Sequence, residues 1–368
     1  MSYVLGLETS CDETSVALLR EDGSIVASVV SSQIDMHRRY GGVVPEIAAR
    51  AHLTNLPPLL DEALERAGAR LEEVGLVVAT AGPGLVGALL VGLAEGRGIA
   101  LGLGVPFVPG HHIEGHALSP FLDLDGGPAR AVPARFAALV VSGGHSHLFS
   151  FSPSGIVVLA KTRDDAAGEA FDKVAKMAGL GYPGGPVVDR LARSGRVVEP
   201  FAVPRFKAGA HDLSFSGLKT AVRDRLAALG FSPNTGVALR GPALAEEDAP
   251  GALCDLLAAF QEAVVAQLED RLERLHETER FPLLTVSGGV AANSLLRERL
   301  AAWGKRRGVE VLLAPRALTS DNAAMVAFAG LLRHRAGAPH EGFSAPARSR
   351  WPLEGMPWAP PAGTPPFR

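Results

Sequence analysis

The chain has 368 residues, more than one ordinary hydrophobic core organises, which excludes a minimal domain and predicts two structural halves. Its 36 Lys and Arg against 39 Asp and Glu give a net charge of −3, which excludes a surface that draws nucleic acid or membrane by overall charge. Hydrophobic residues at 47% and charged residues at 20% exclude a disordered chain, and 42 glycines predict many tight turns or close backbone approaches.

The opening predicts three strands. Tyr3 to Leu7 is apolar, Glu8 to Thr14 is a polar turn, and Ser15 to Leu19 returns. After Glu21-Asp22-Gly23, Ser24 to Val30 forms the third. Ile47 to Ala67 carries helical periodicity. Val74 to Ala94 is uncharged and as long as a membrane span, but Ala81-Gly82-Pro83-Gly84 interrupts it. The spacing therefore predicts a strand at Leu76–Thr80, a glycine turn, and a helix from about Val86 to Leu103.

Phe136 to Val141 predicts another strand, Ser142-Gly143-Gly144 a turn, and His145 to Phe151 the return. Leu283 to Ser287 is a further strand, followed by Gly288-Gly289 and a helix over Ser294–Trp303. A strand running into Ser-Gly-Gly thus occurs twice, and the repeated pattern predicts two related lobes with a ligand between them. Residues 233–250 read as an inserted loop and 349–368 as a proline-rich tail. Met1 to Ser10 has no basic stretch, so no signal peptide is expected. Cys11 and Cys254 make no disulfide framework and suit a reducing cytoplasm.

Three constellations offer chemistry. In His112-Ile113-Glu114-Gly115-His116, imidazoles at i and i+4 sit about 40° apart around a helix, so both can reach one ion. Two surface histidines at a helix start are the plainer alternative. A metal needs a third ligand, and Asp321, where a loop enters an apolar helix, is the candidate; simple N-capping competes with that role. Zinc proteases place Glu directly after the first His, whereas Glu114 lies two positions on, about 200° around the helix, so peptide hydrolysis is not expected. The glycine turns at 142–144 and 288–289 expose backbone amides that bind phosphate without lysine, and neither a P-loop nor a Rossmann fingerprint is present. Asp172 and Asp189, beside Tyr182-Pro183-Gly184-Gly185-Pro186, suit ribose hydroxyls or form a solvated face.

Together these runs resemble the universal tRNA adenosine threonylcarbamoyltransferases of bacterial type, formerly described as O-sialoglycoprotein endopeptidase-like. The matching segments are Glu8 to Thr14, Tyr40 to Glu46, Gly82 to Leu85, His112 to His116, Val141 to His145, Asp164 to Lys173 with Tyr182 to Gly185, Ser214 to Thr220, Ser287 to Val290 with Asn293, and Asp321-Asn322. The resemblance implies an α/β fold of actin/hexokinase/Hsp70 (ASKHA) type, two-lobed with duplicated βββαβα units. It implies lobes of 1–118 plus about 323–348, and of 119–322. His112, His116 and Asp321 would be metal ligands, for Fe(II) or alternatively Zn(II). Val140, Val141, Ser142, Gly143, Gly144, Asp172, Gly185, Asp189 and Asn293 would meet the adenylate of threonylcarbamoyl-AMP. Asp12 and Glu13 are candidate general bases. The implied reaction is threonylcarbamoyl transfer to N6 of adenosine 37 in tRNA. The implied partners are tRNA, a smaller paralogue of the same fold and a P-loop ATPase, with no membrane. A small-molecule kinase of the same fold and a nucleotide-gated scaffold are the alternatives.

Overall fold

The computed structural model describes residues 2–203, 212–231, 249–338 and 340–358. Most of the expected insertion at 233–250, and residues 359–368 of the expected tail, lie outside them. The first elements are β1 (Tyr3–Glu8), β2 (Glu13–Leu19), β3 (Ile25–Ser32), α1 (Ile34–Arg38), α2 (Pro45–Ala67), β4 (Val74–Gly82), α3 (Val86–Leu103), β5 (Phe107–His111) and α4 (His112–Leu118). Then come β6 (Phe136–Val141), β7 (Ser146–Ser152), β8 (Gly155–Lys161), α5 (Ala167–Met177), α6 (Gly184–Ala192), α7 (Ser216–Ala228) and α8 (Gly251–Glu279). The last are β9 (Leu283–Ser287), α9 (Ser294–Arg307), β10 (Glu310–Leu313) and α10 (Ala323–Arg335).

The two sheets have the same plan. One runs β3-β2-β1-β4-β5, the other β8-β7-β6-β9-β10, so each places its strands in the order third, second, first, fourth, fifth. In the first sheet β1 pairs antiparallel with β2 and parallel with β4, and β4 pairs parallel with β5. In the second, β9 is parallel to both β6 and β10. The duplication predicted from the repeated strand-turn pattern is present. β5, β8 and β10 had no counterpart in the sequence reading; β5 and β10 are only five and four residues long, too short for a period to register.

The chain divides into two compact units. One comprises Met1–Phe136, Ser150–Val157 and Ala314–Arg368, the other Ala137–Phe149 and Val158–Leu313. These divisions differ from the expected lobe boundaries at 118/119 and 322/323. Residues 119–136 stay with the first unit because Phe121 and Phe136 pack edge to face at 5.5 Å, and Phe136 stacks on Phe151. Residues 314–322 stay there because they deliver α10 onto β1 and β2.

Alternation along β1 decides where α10 lies. Leu5 and Leu7 join a core with Leu56, Leu59 and Leu60 of α2 and with Leu93 and Ala100 of α3. Gly6 faces the opposite way, and a Cβ there would stand 2.5 Å from the Ala323 carbonyl oxygen and 2.8 Å from the Ala327 methyl. Gly330 repeats the arrangement against Val78, and Gly110 against Val326, where a Cβ would in each case stand 2.5 Å from a valine methyl. Three glycines therefore let α10 lie directly on β1, β4 and β5. In the second unit, α8 packs on α6, α7 and α9 within one large apolar cluster.

α3 and α8 are each long and apolar enough to cross a bilayer by length and composition. α3 uses Ala88, Leu89, Gly92, Leu93, Gly96 and Ala100 to pack on β4 and α2, and α8 is mostly buried. The uncharged run from Val74 is a strand followed by a helix, as its glycine turn predicts.

Gly6→Ala is expected to cost about 1–3 kcal/mol through overpacking, read as a lowered midpoint in thermal unfolding. An unchanged midpoint would contradict the close seating of α10.

Candidate functional site

β5 ends at His111 and α4 begins at His112 with no intervening loop, so the strand end sets the first helical turn. The i, i+4 spacing then puts the His112 and His116 rings 4.8 Å apart, nearly perpendicular. Asp321 arrives from the segment before α10. N-capping does not occupy it: Asn322 is the cap, its Oδ1 accepting the Met325 N–H at 2.9 Å. Ser15 Oγ accepts the Ala323 N–H at 2.9 Å and fixes this helix start to β2.

Asp321 Oδ1 lies 3.0 Å from His116 Nε2 and 3.5 Å from His112 Nε2. The three donor atoms all fall within 4.8 Å of one another. Donors each about 2.1 Å from one ion stand about 3.0–3.4 Å apart, so this set fits a divalent cation. His112 Nδ1 donates to Glu8 Oε2 at 3.0 Å, the carboxylate–histidine arrangement that orients a ligating ring. Glu8 is itself held by Thr80 Oγ1 at 2.8 Å and by the Ser10 N–H at 2.5 Å. His116 Nδ1 is buried and has no hydrogen-bond partner among the described residues.

Glu8 and Ser10 were in a motif of the sequence reading but received no role. The available signal was a carboxylate ending the apolar strand Tyr3–Glu8, where a solvent-facing residue would be unremarkable and Glu8 is fully buried. Glu114 turns away from the cluster and pairs with Arg333.

Burial alone would push the His112 imidazole down, but the carboxylates of Asp321 and Glu8 outweigh it and raise it to about 9. Burial pushes the Glu8 carboxyl up, and the charge and hydrogen bond of His112 overcome this to hold it below its ordinary value. Burial, followed by the charges of Asp321 and Asp12, pushes Glu13 up to about 10, so Glu13 carries a proton at neutral pH. Burial and the charges of Asp12 and Asp321 push the Cys11 thiol up, which disqualifies it as a nucleophile.

The second unit gathers the other expected residues. Val140 and Val141 are fully buried in β6, main chain as well as side chain, so neither presents a surface to a ligand in this structure. The Gly168 N–H donates to Ser142 O at 3.2 Å, and a Cβ on Gly288 would meet Val141 O at 2.3 Å. Asp172 Oδ1 accepts the Gly184 N–H at 2.7 Å, tying α5 to the start of α6. Cβ atoms on Gly143, Gly144, Gly185 and Gly289 would meet nothing within 4 Å, and none of the four has a left-handed φ. Neither backbone conformation nor packing within the described residues requires glycine at these four positions.

Two expected contacts are already engaged. Asp189 Oδ1 accepts Ser294 Oγ at 2.6 Å and Ser294 N at 3.1 Å, and its Oδ2 accepts from Arg193 at 2.8 Å. Asn293 Oδ1 caps α9 at Leu296 N, 3.0 Å, and its Nδ2 donates to Gln261 Oε1 at 2.8 Å. Asp12 and Glu13 belong to the first unit, near Asp321.

A family model described as TsaD: tRNA N6-adenosine threonylcarbamoyltransferase matches residues 24–328. The chain belongs to that family. It is 44% identical over 353 residues to the tRNA N6-adenosine threonylcarbamoyltransferase of Thermus thermophilus, covering 96% of this chain and 99% of that protein. It is 45% identical over 359 residues to the enzyme of the same name from Paramagnetospirillum magneticum, covering 95% and 97%. A crystal structure of HypF from T. kodakarensis matches the fold with a TM-score of 0.56 at 14% identity, over 90% of this chain and 47% of that one. The fold is of the actin/hexokinase/Hsp70 type, and the enzyme is a transferase that forms N6-threonylcarbamoyladenosine in tRNA.

Two titrations give this threonylcarbamoyltransferase a pH signature in metal-free form. His112 is raised, so the stability from its proton is complete below 6.5 and is lost as pH rises to about 9. Raised Glu13 acts in the same direction above 4.5. The melting temperature of metal-free protein is expected to fall between pH 6.5 and 9, and the metal-loaded protein to show a flatter profile. A flat or rising metal-free profile would contradict the electrostatics described.

Proposed function

We propose that the chain transfers the threonylcarbamoyl group from threonylcarbamoyl-AMP to N6 of adenosine at position 37 of tRNAs that read codons beginning with A, releasing AMP. The convergence of His112 Nε2, His116 Nε2 and Asp321 Oδ1 is the observation that carries this reading. The exocyclic amine of adenine is a weak nucleophile because its lone pair is delocalised into the ring. It therefore requires an activated acyl donor. The N6–carbonyl bond forms, the carbonyl–phosphate oxygen bond breaks with its electron pair leaving on AMP, and a proton leaves N6.

His112, His116 and Asp321 hold one divalent cation, with Fe(II) the first choice for two imidazoles and one carboxylate and Zn(II) the alternative. That cation supplies Lewis acidity toward a carbonyl oxygen. Glu8 keeps His112 in the tautomer that presents Nε2. The backbone amides of Gly143 and Gly144 take the donor phosphate, Ser142 closing the turn by donating its own N–H to His145 O at 2.7 Å, with Gly185 leaving room beside it. Val140, Val141, Asp172, Asp189 and Asn293 shape the adenylate pocket. Asp189 and Asn293 act chiefly by fixing the start of α9, given their existing hydrogen bonds. Asp12 and Glu13 are the candidate acceptors for the N6 proton; burial and the charges of Asp321 and Asp12 keep Glu13 protonated at neutral pH, which counts against it.

The tRNA surface is local rather than global at a net charge of −3. Arg38, Arg50, Arg193 and Lys219 each face a carboxylate, so partners supply part of the positive field. Those partners are a smaller paralogue of the same fold and a P-loop ATPase, working in the cytoplasm without a membrane.

Threonine, bicarbonate, ATP, the adenylate-forming enzyme, both partners and unmodified tRNA are expected to yield modified adenosine at position 37, detected by nucleoside analysis. His112→Ala and Asp321→Ala are expected to lower the rate at least a hundredfold while circular dichroism stays native. Wild-type turnover by either variant would overturn the metal role.

A further inference from the structure

The C-terminal segment from Ala345 to Trp358 takes no part in the chemistry above, yet it makes contact at two points: it touches the N-cap of α4 directly, and it touches Arg333 of α10, which grips α4 in turn. His111 is the N-cap of α4, and its Nδ1 accepts the Glu114 N–H at 3.3 Å. A neutral imidazole that accepts at Nδ1 carries its proton on Nε2. That Nε2–H donates to the main-chain oxygen of Trp351 at 3.0 Å. The Trp351 ring lies 4.7 Å from the His111 ring, and the Arg348 guanidinium stands 4.8 Å over the Trp351 ring. The Arg348 main-chain N–H donates to Ala81 O at 2.8 Å, and Gly82, at φ +156°, has no room for a Cβ because Arg348 O would be 2.4 Å away.

The second point is an ion pair. Glu114, fully buried between His112 and His116, accepts from Arg333 Nε of α10 through Oε2. Its Oε1 has no hydrogen-bond partner among the described residues. Arg333 Nη2 lies 3.9 Å from Met356 Sδ in the same C-terminal segment. A buried pair that leaves one carboxylate oxygen unsatisfied contributes little over a well-packed apolar pair. Its distinctive effect is geometric: it fixes the register of α4 against α10, the two elements that bring the ligands together.

We propose that His111 and Arg333 are positioning residues of the metal centre, locked in place by the C-terminal segment through Trp351 and Met356. They grip α4 one residue before His112 and, through Glu114, two residues after it. This inference rests on the reading that His112, His116 and Asp321 hold a divalent cation.

The test uses the full-length protein, stripped of metal and titrated with Co(II), with the visible absorption of the bound ion as readout. His111→Ala and Arg333→Met are expected to weaken Co(II) binding about 10- to 100-fold and to shift the absorption band. His111→Gln, which can both accept from Glu114 and donate to Trp351, is expected to recover most of the affinity. Where the truncating variants fail to fold, Glu114→Gln carries the test and is expected to weaken binding at least threefold. Wild-type affinity and spectrum in the folded variants would overturn the positioning role. Failure of the wild-type protein itself to take up one equivalent of Co(II) would instead overturn the metal reading beneath it.

Discussion

His116 and Asp321 are 205 residues apart in sequence and must stand 3.0 Å apart in space. The contact that achieves this is the seating of α10, where Gly6, Gly110 and Gly330 remove every Cβ that would lift the helix off its sheet. α4 packs on the same helix, and a Cβ on Gly115 would lie 3.1 Å from Met325. Close-packed interiors deform little. A displacement of α10 is therefore transmitted to the ligand set rather than absorbed before reaching it.

The electrostatics of the cluster point the same way as its geometry. Glu8 is fully buried and Asp12 nearly so; Glu8 and Asp321 act on the two imidazoles, and Asp12 and Glu13 add two more carboxyls beside Asp321. Anionic groups withdrawn from water are costly unless a counter-charge accompanies them. Protons on His112 and Glu13 supply a partial remedy, as their raised pKa values show. A divalent cation held by this group would do so more fully, because it would answer Asp321 directly and replace the His112 proton. Metal binding and proton release are coupled in such a site.

The ligand trio was legible because its signals are local. An i, i+4 histidine pair sits on one helix face, and an acid precedes an apolar helix. Even there one ambiguity remained, since Asp321 and Asn322 are both capable caps; only the structure shows that Asn322 does the capping. The support beneath the trio was not legible. Glu8 holds His112 across 104 residues, and Trp351 meets His111 across 240. Nothing in local periodicity encodes contacts of that separation. α3 was read at about its observed bounds because a glycine turn precedes it and Gly104 ends it, whereas α9 runs on to Arg307 past the expected Trp303, the 29-residue α8 had no counterpart in the sequence reading, and five-residue β5 gave no period to detect.

The duplication gives the chain two equivalent strand ends that differ in chemistry. β1 and β6 occupy the same place in their sheets, and both are flanked by a parallel neighbour whose carboxyl end carries a glycine turn. Ligands collect at such strand ends in open α/β sheets. The two copies differ in the residues at the strand's carboxyl end. β1 ends in Glu8-Thr9-Ser10, a buried carboxylate that orients a metal-binding imidazole. β6 runs into Ser142-Gly143-Gly144, an uncharged turn that Ser142 closes through its hydroxyl and its N–H against the His145 main chain. The neighbouring turns diverge as well: Gly82 is closed off by the C-terminal segment, while Gly288 abuts Val141 and is followed by open Gly289. The same backbone plan thus carries different electrostatic characters, set by the residues placed at the ends of two equivalent strands.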